Sequence, residues 1–355
     1  MADIETLYNE ALILLQELIS IPSFSKEEWN TANAIEKFLN KKAIPVNRHL
    51  NNVWALNQYF DPNKPTILLN SHHDTVKPNA GYTKDPFASI IEADKLFGLG
   101  SNDAGASLVS LIATFTHYYP KQDLAYNIVL AATAEEEISG LNGVAALIPL
   151  LPTPAFAIVG EPTLLNLAVA ERGLLVIDAK AKGVAGHAAR EEGENALYKA
   201  VKDIQWIQQY QFERISEWLG PVKMTVTSFN TDNKQHNVVP ATAEFIIDIR
   251  VNELYHFNEI LATLSANLQS EFAPRSTRLQ STGIDVAHPI VQAGIKLGKS
   301  CYGSPTTSDK ALMPFPALKV GPGDSARSHT ADEFVYLYEI KNGIEFYINL
   351  LNQVL

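Results

Sequence analysis

Thr66 to Pro78 reads TILLNSHHDTVKP, a run of apolar and β-branched residues ending in two histidines and an aspartate. The apolar part reads as a strand buried on both faces. A strand alternates its side chains, so His72 and Asp74 share one face while His73 takes the other. An imidazole at a strand end beside a carboxylate suits a site, because the carboxylate can hold one ring N–H and fix which nitrogen is free. Taken alone, HHD reads first as a polar strand end in water. The other strand ends decide between the two.

Outward from this strand, short apolar runs alternate with helical patterns. NVWALNQYF (52–60), NIVLAATA (127–134) and FAIVGE (156–161) read as further strands, GASLVSLIATFTHYY (105–119) and GLNGVAALIPLL (140–151) as helices. That alternation predicts an α/β domain with a mainly parallel, mixed sheet. The character changes near Gly173. In TAEFIIDIRV, Phe245, Ile247 and Ile249 share a face opposite Glu244, Asp248 and Arg250. Leu197, Ala200, Val201, Ile204 and Ile207 follow a helical period, as do Phe257, Ile260, Leu261 and Leu264. The order β-α-β-β-α-β predicts a two-layer, ferredoxin-like α+β domain over 173–283, inserted into a discontinuous larger domain of 1–172 and 284–355.

Composition narrows the function. The chain has 355 residues, 46% hydrophobic and 19% charged, with a formal net charge of −11. That balance argues against binding a nucleic-acid backbone. Cys301 is the only cysteine, so an internal disulfide and a thiolate cluster are excluded. MADIETLYNEALILLQELISIPS lacks the basic start of a signal peptide, and Ile4, Leu7, Ala11, Leu14, Leu15 and Leu18 give it an amphipathic helical stripe. No apolar run is long enough to span a bilayer. The expectation is a cytoplasmic protein with no nucleic-acid or membrane partner.

Four more strand ends or following loops carry ligand chemistry. LFGLGSNDAGAS places Asp103 in a glycine-rich turn before a helix, and LAATAEEEISG ends a strand in Glu135, Glu136 and Glu137. AIVGEPT presents Glu161, and KVGPGDSARSHTADEF presents His329. Each alone has a plain reading as a helix cap, a solvated helix start or a surface residue. Together they stand at the carboxyl ends of strands in one α/β sheet, where residues distant in sequence converge. Histidine, aspartate and glutamate without cysteine suit zinc or a related divalent ion, and a carboxylate can bridge two.

SHHDTV, GLGSND, TAEEEIS, VGEPT and GPG…SH stand in the order of a known metallopeptidase superfamily, which the sequence resembles over nearly its whole length. That superfamily contains acetylornithine deacetylase, succinyl-diaminopimelate desuccinylase, aminoacylases and glutamate carboxypeptidase. The resemblance implies a zinc-peptidase-like catalytic domain holding two zinc ions, with cobalt or manganese able to use the same ligands. It implies that Asp103 bridges the ions, with His72 and Glu161 on one and Glu137 and His329 on the other. Asp74 would accept the other ring N–H of His72, and Glu136 would be the general base. It also makes the inserted domain a dimerisation lid in a homodimer, whose His187 supports the oxyanion across the subunit interface. Asn237 and Arg250 would hold a substrate carboxylate, although Arg250 can also be read as ion-paired to Asp248.

Two stretches depart from the family pattern. Many relatives read DMKG after the bridging aspartate, whereas this chain reads DAGAS, with Gly105 at the lysine's position. SPTTSDKALMPF, around Asp309, matches the family's substrate loop only loosely. The expected activity is hydrolysis of an N-acyl amino acid, with acetylornithine deacetylation in arginine biosynthesis as the leading reading. Desuccinylation of succinyl-diaminopimelate, or a dipeptidase or carboxypeptidase activity, stands beside it. Two readings from other classes are a metal-dependent binding protein and a nucleotide-binding oxidoreductase. The first predicts a lost base or ligand, and none is lost. The second needs a GxGxxG that FGLGSNDAG does not complete.

Overall fold

The computed structural model of the protein describes residues 3–190 and 192–355. Helix α1 (Ile4–Ile19) starts where the Asp3 carboxylate accepts the Thr6 N–H, and it buries Leu7, Ala11, Leu14, Leu15 and Leu18. After α2 (Trp29–Lys41) come β1 (Asn47–His49), β2 (Asn52–Leu56) and β3 (Thr66–His72). A small hairpin, β4 (Ile90–Glu92) and β5 (Lys95–Phe97), leads into the glycine-rich turn and α3 (Ala106–Tyr118). Then follow β6 (Asn127–Thr133), α4 (Val144–Leu147), β7 (Pro154–Val159) and β8 (Leu167–Glu171).

The main sheet contains the run β1-β2-β6-β3-β7, then the strand Ala317–Lys319, then β8. Its centre is parallel: β3 pairs β6 and β7, and Ala317–Lys319 pairs β7. Antiparallel pairings of β1 with β2 and of β2 with β6 make the sheet mixed. Every residue of β3 and β6 is buried, which is why these strands read as continuous apolar runs. Helix α3 is apolar around most of its circumference because it packs against α1 and α8 (Leu337–Leu351) as well as the sheet.

The inserted segment forms β9 (Gly173–Lys182), β10 (Gly186–His187), α5 (Ala196–Gln209), β11 (Lys223–Thr231), β12 (Val238–Val239), β13 (Thr242–Val251), α6 (Phe257–Asn267) and β14 (Glu271–Pro274). Its antiparallel sheet has the order β11-β13-β9-β14. Ile177, Phe245, Ile247 and Ile249 pack with Ala200, Ile207, Ile260 and Leu264 in one core. Helix α7 (Pro289–Lys296) precedes the last strands.

By packing, the chain divides into two units. One comprises residues up to Val169 with Ile284–Tyr302 and Ser308–Leu355, the other Ala170–Gly283 with Gly303–Thr307. The helix expected over Gly140–Leu151 is a correction: only the single turn α4 and a 3-10 turn at Ile148–Leu150 form. Pro149 has no N–H to donate back along the helix, so the α-helical ladder ends in the 3-10 turn even though Ile148 keeps helical φ and ψ of −48° and −44°. Among the described residues, no helix is long and apolar enough to cross a membrane.

Candidate metal centre

The first unit brings the predicted ligands together at the carboxyl ends of its parallel strands. His72 closes β3, Glu136 and Glu137 follow β6, and Glu161 follows β7 by one glycine. Asp103 lies in the turn before α3, where Gly100 takes a φ of 76° and the Asp103–Ala104 peptide is cis. His329 lies in the loop after Ala317–Lys319 with a φ of 59°. Glu135, which opens the glutamate turn, also has a left-handed φ, 56°. Such φ values are uncommon outside glycine and asparagine, and here they mark two turns that aim ligand side chains.

His72 Nε2 lies 3.3 Å from Asp103 Oδ1, 3.9 Å from Glu136 Oε2 and 4.0 Å from Glu161 Oε1. On the far side of Asp103, His329 Nε2 lies 3.6 Å from Oδ2 and 2.9 Å from Glu137 Oε2. One carboxylate therefore turns one oxygen to each of two histidines. His72, Asp103 and Glu137 offer ligand atoms all within 4.8 Å of one another, and so do His72, Glu136 and Glu161. Donors held at about 2.0–2.2 Å around a tetrahedral ion stand some 3.3 Å apart, so only small movements separate these side chains from coordination.

The charges fit the same purpose. Four carboxylates, Asp103, Glu136, Glu137 and Glu161, face two imidazoles. Burial opposes charge on His72, yet its bonds to Asp103 and Asp74 raise its pKa well above the usual value. Glu137 is the main cause that pushes His329 up to about 9. Burial, offset in part by His72, raises Glu136 well above the carboxylate range, and Glu161, Asp309 and Glu137 add to it. Burial works to raise Asp103, but its bond to His72 and that histidine's charge hold it low. A donor set this rich in oxygen, with two histidines and no thiol, fits divalent ions of the zinc, cobalt or manganese type.

Behind the ligands stand side chains that grip the backbone. His72 Nδ1 lies 2.9 Å from the Asp74 carbonyl and 3.4 Å from its Oδ1, so it meets Asp74 twice. The Asp74 carboxylate accepts the Glu136 N–H at 3.0 Å, the Glu137 N–H at 3.2 Å and the Ser25 hydroxyl at 2.7 Å. Buried Glu28 accepts the Glu135 N–H at 3.2 Å. His73 faces away: its Nδ1 meets the Thr31 hydroxyl and its Nε2 the Asn51 carbonyl, each at 2.9 Å. Burial takes its pKa down to about 4. Nothing in the sequence pattern singles out Ser25, Glu28 or the buried Glu333. Their signal is only a polar residue in a loop: Ser25 holds the Asp74 carboxylate, and Glu28 and Glu333 hold backbone N–H groups.

Asp309 is buried under the ends of β3 and β6, accepting the Thr133 hydroxyl at 2.7 Å and the Asn70 amide at 3.0 Å, with burial pushing it up to about 6. At Gly105, a Cβ would stand 2.3 Å from the Gly100 carbonyl oxygen and 2.6 Å from Leu15 Cδ1. This turn is closed too tightly for the lysine of many relatives. The other three predicted residues belong to the second unit. His187 and Asn237 are neighbours there: His187 pairs Val238, and the Ala188 N–H donates to the Asn237 carbonyl at 2.9 Å. The exposed His187 ring accepts the Ala189 N–H at 3.1 Å. Arg250 forks onto Asp248, with Nε and NH2 at 2.8 and 3.0 Å.

The model of peptidase family M20/M25/M40 matches residues 68–353, and the chain belongs to that family. A succinyl-diaminopimelate desuccinylase of Acidiphilium cryptum is 29% identical over 199 residues, 53% of this chain and 53% of its own length. Another, of Cereibacter sphaeroides, is 26% identical over 294 residues, 78% of this chain and 75% of that protein. The chain thus spans about half the length of the first of these curated relatives. The solved structure of aminopeptidase PepT from Bacillus cereus has the same fold, with a TM-score of 0.76, 19% identity and 99% of both chains covered.

Proposed function

From that family membership we propose that the protein hydrolyses the amide bond of a small N-acyl amino acid at a centre of two divalent ions. The observation that carries this reading is the Asp103 carboxylate, with Oδ1 3.3 Å from His72 and Oδ2 3.6 Å from His329. His72 and Glu161 would share one ion with Asp103, and Glu137 and His329 the other. Bound there, two such ions polarise an amide carbonyl and make water a better nucleophile.

The chain's own groups do the rest. Glu136, partly buried and raised in basicity, takes the proton of the attacking water and hands it to the departing amine. Asp74 holds the amides of Glu136 and Glu137, so base and ligand keep their spacing. His187, supplied by a second copy in a homodimer, donates to the developing oxyanion. Arg250 exchanges Asp248 for the substrate carboxylate, which a guanidinium binds bidentately, and Asn237 adds a further contact.

The names of the curated relatives favour an N-succinyl diamino acid over N-acetylornithine as the first substrate to try. The zinc-loaded enzyme should therefore release amine from N-succinyl-diaminopimelate faster than from N-acetylornithine, N-acetylcitrulline or dipeptides. Fastest release from N-acetylornithine would restore the deacetylase reading. Release from dipeptides alone would overturn deacylation in favour of a peptidase. Mixing His187→Ala with Glu136→Gln protein tests the dimer: recovered activity supports it, and none after subunit exchange contradicts it.

A further inference from the structure

Glu333 has no role in the scheme above, yet it is only 2% exposed and occupied entirely with backbone. Its Oε1 accepts the N–H groups of Asn102 and Asp103, both at 2.9 Å, and its Oε2 accepts the Gly100 N–H at 3.1 Å. Its own carbonyl accepts the Gly98 N–H at 2.9 Å. These four amides make up the turn that presents Asp103. The segment that carries Glu333 also carries His329, and it meets the turn at another point: Asn102 Oδ1 accepts the Asp324 N–H and Asn102 Nδ2 donates to the Asp324 carbonyl, each at 3.0 Å.

Three amides converging on one buried carboxyl group satisfy both of its oxygens and leave the turn little freedom. Because Glu333 grips main chain rather than the Asp103 side chain, it sets where the Asp103 Cα stands and leaves both carboxylate oxygens free to face the histidines. Asp74 treats the Glu136–Glu137 turn in the same way. The Asp103 turn and the Glu136–Glu137 turn are thus each held from behind by a buried acid on their amides.

We propose that Glu333 is a positioning residue that locks the Asp103 turn to the His329 segment and so sets the affinity of the metal pair sharing Asp103. The inference rests on the two-ion reading of the site. Glu333→Gln places an NH2 group against the Gly100 N–H, and Glu333→Asp keeps the carboxyl group while withdrawing its reach by one methylene. Chelator-stripped wild type and both variants are compared by amide hydrogen exchange and by titration with Zn2+ and Co2+, the latter followed by its visible absorption.

In the stripped variants, the amides of Gly100, Asn102 and Asp103 should exchange faster than in wild type, with exchange in the second unit unchanged. The weaker-bound ion should lose about 10–100-fold in affinity, as loss of a supporting partner typically produces, and the cobalt spectrum should change. Folded variants with wild-type exchange at these amides and wild-type metal affinity would overturn the proposal. Failure of both variants to fold would overturn it too, by assigning the carboxylate to global stability. A wild type that binds no ion would sink the two-ion reading itself, while the exchange data on stripped protein would still judge the clamp.

Discussion

In the proposed scheme Asp103 is the shared ligand and Glu136 the base, and that division can be tested one atom at a time. Glu136→Gln keeps the shape and the backbone bond to Asp74 but removes the proton acceptor. Turnover should fall by about 10²–10⁴-fold, the usual contribution of a positioned base, while metal stoichiometry by elemental analysis stays as in wild type. Unchanged turnover would refute the assignment. Gly105 offers a second test at this scale. Gly105→Ala drives a Cβ to 2.3 Å from the Gly100 carbonyl oxygen, a backbone atom that cannot rotate away. The overpacking should cost about 1–3 kcal/mol in thermal or denaturant unfolding and loosen metal binding. Full wild-type stability would mean that the turn relaxes freely. The candidate ligands were legible only as a set, since each alone reads as a cap or a surface residue and it is their joint placement at strand ends that points to a site. Of the acids behind them, Asp74 was legible beside His72, but Glu28 and Glu333 were not, because a carboxylate gripping amides leaves no spacing in the sequence.

Among the elements, β3, β6 and β7 declare themselves because strands buried on both faces must be apolar throughout, and β9 and β13 because one wet face forces alternation. The reading failed at α4, where an apolar run with helical composition meets Pro149. The five residues Gly303–Thr307 that join the second unit were also invisible, since packing alone assigns them. Helix α3 carries a pH-dependent feature of its own. His117 Nδ1 is buried without a hydrogen-bond partner, and burial, aided by Lys121, lowers its pKa to about 4. Between about pH 6.5 and 4 the unfolded chain therefore binds a proton that the native state refuses, so stability falls as the pH falls through that window. His117→Leu should flatten the acid limb of melting temperature against pH. An unchanged slope would show that His117 protonates freely in the folded protein.

For the molecule as a whole, the sequence order of five ligand motifs pointed to the family before any geometry, and the structure brings all five side chains to one place. Substrate choice was less legible, since Gly105 and the Asp309 loop depart from the family pattern and the pocket walls carry no motif. Chelation should abolish turnover and lower the melting temperature, because an ion that binds only the native state at 100 times its Kd contributes about 2.7 kcal/mol. Zn2+ or Co2+ should restore both. The most direct measurement is anomalous diffraction from zinc-loaded crystals collected at the zinc edge. The account predicts two peaks, with Asp103 touching both, His72 and Glu161 on one, and Glu137 and His329 on the other. No peak among these residues, or a single peak with Asp103 or His329 uninvolved, would contradict it.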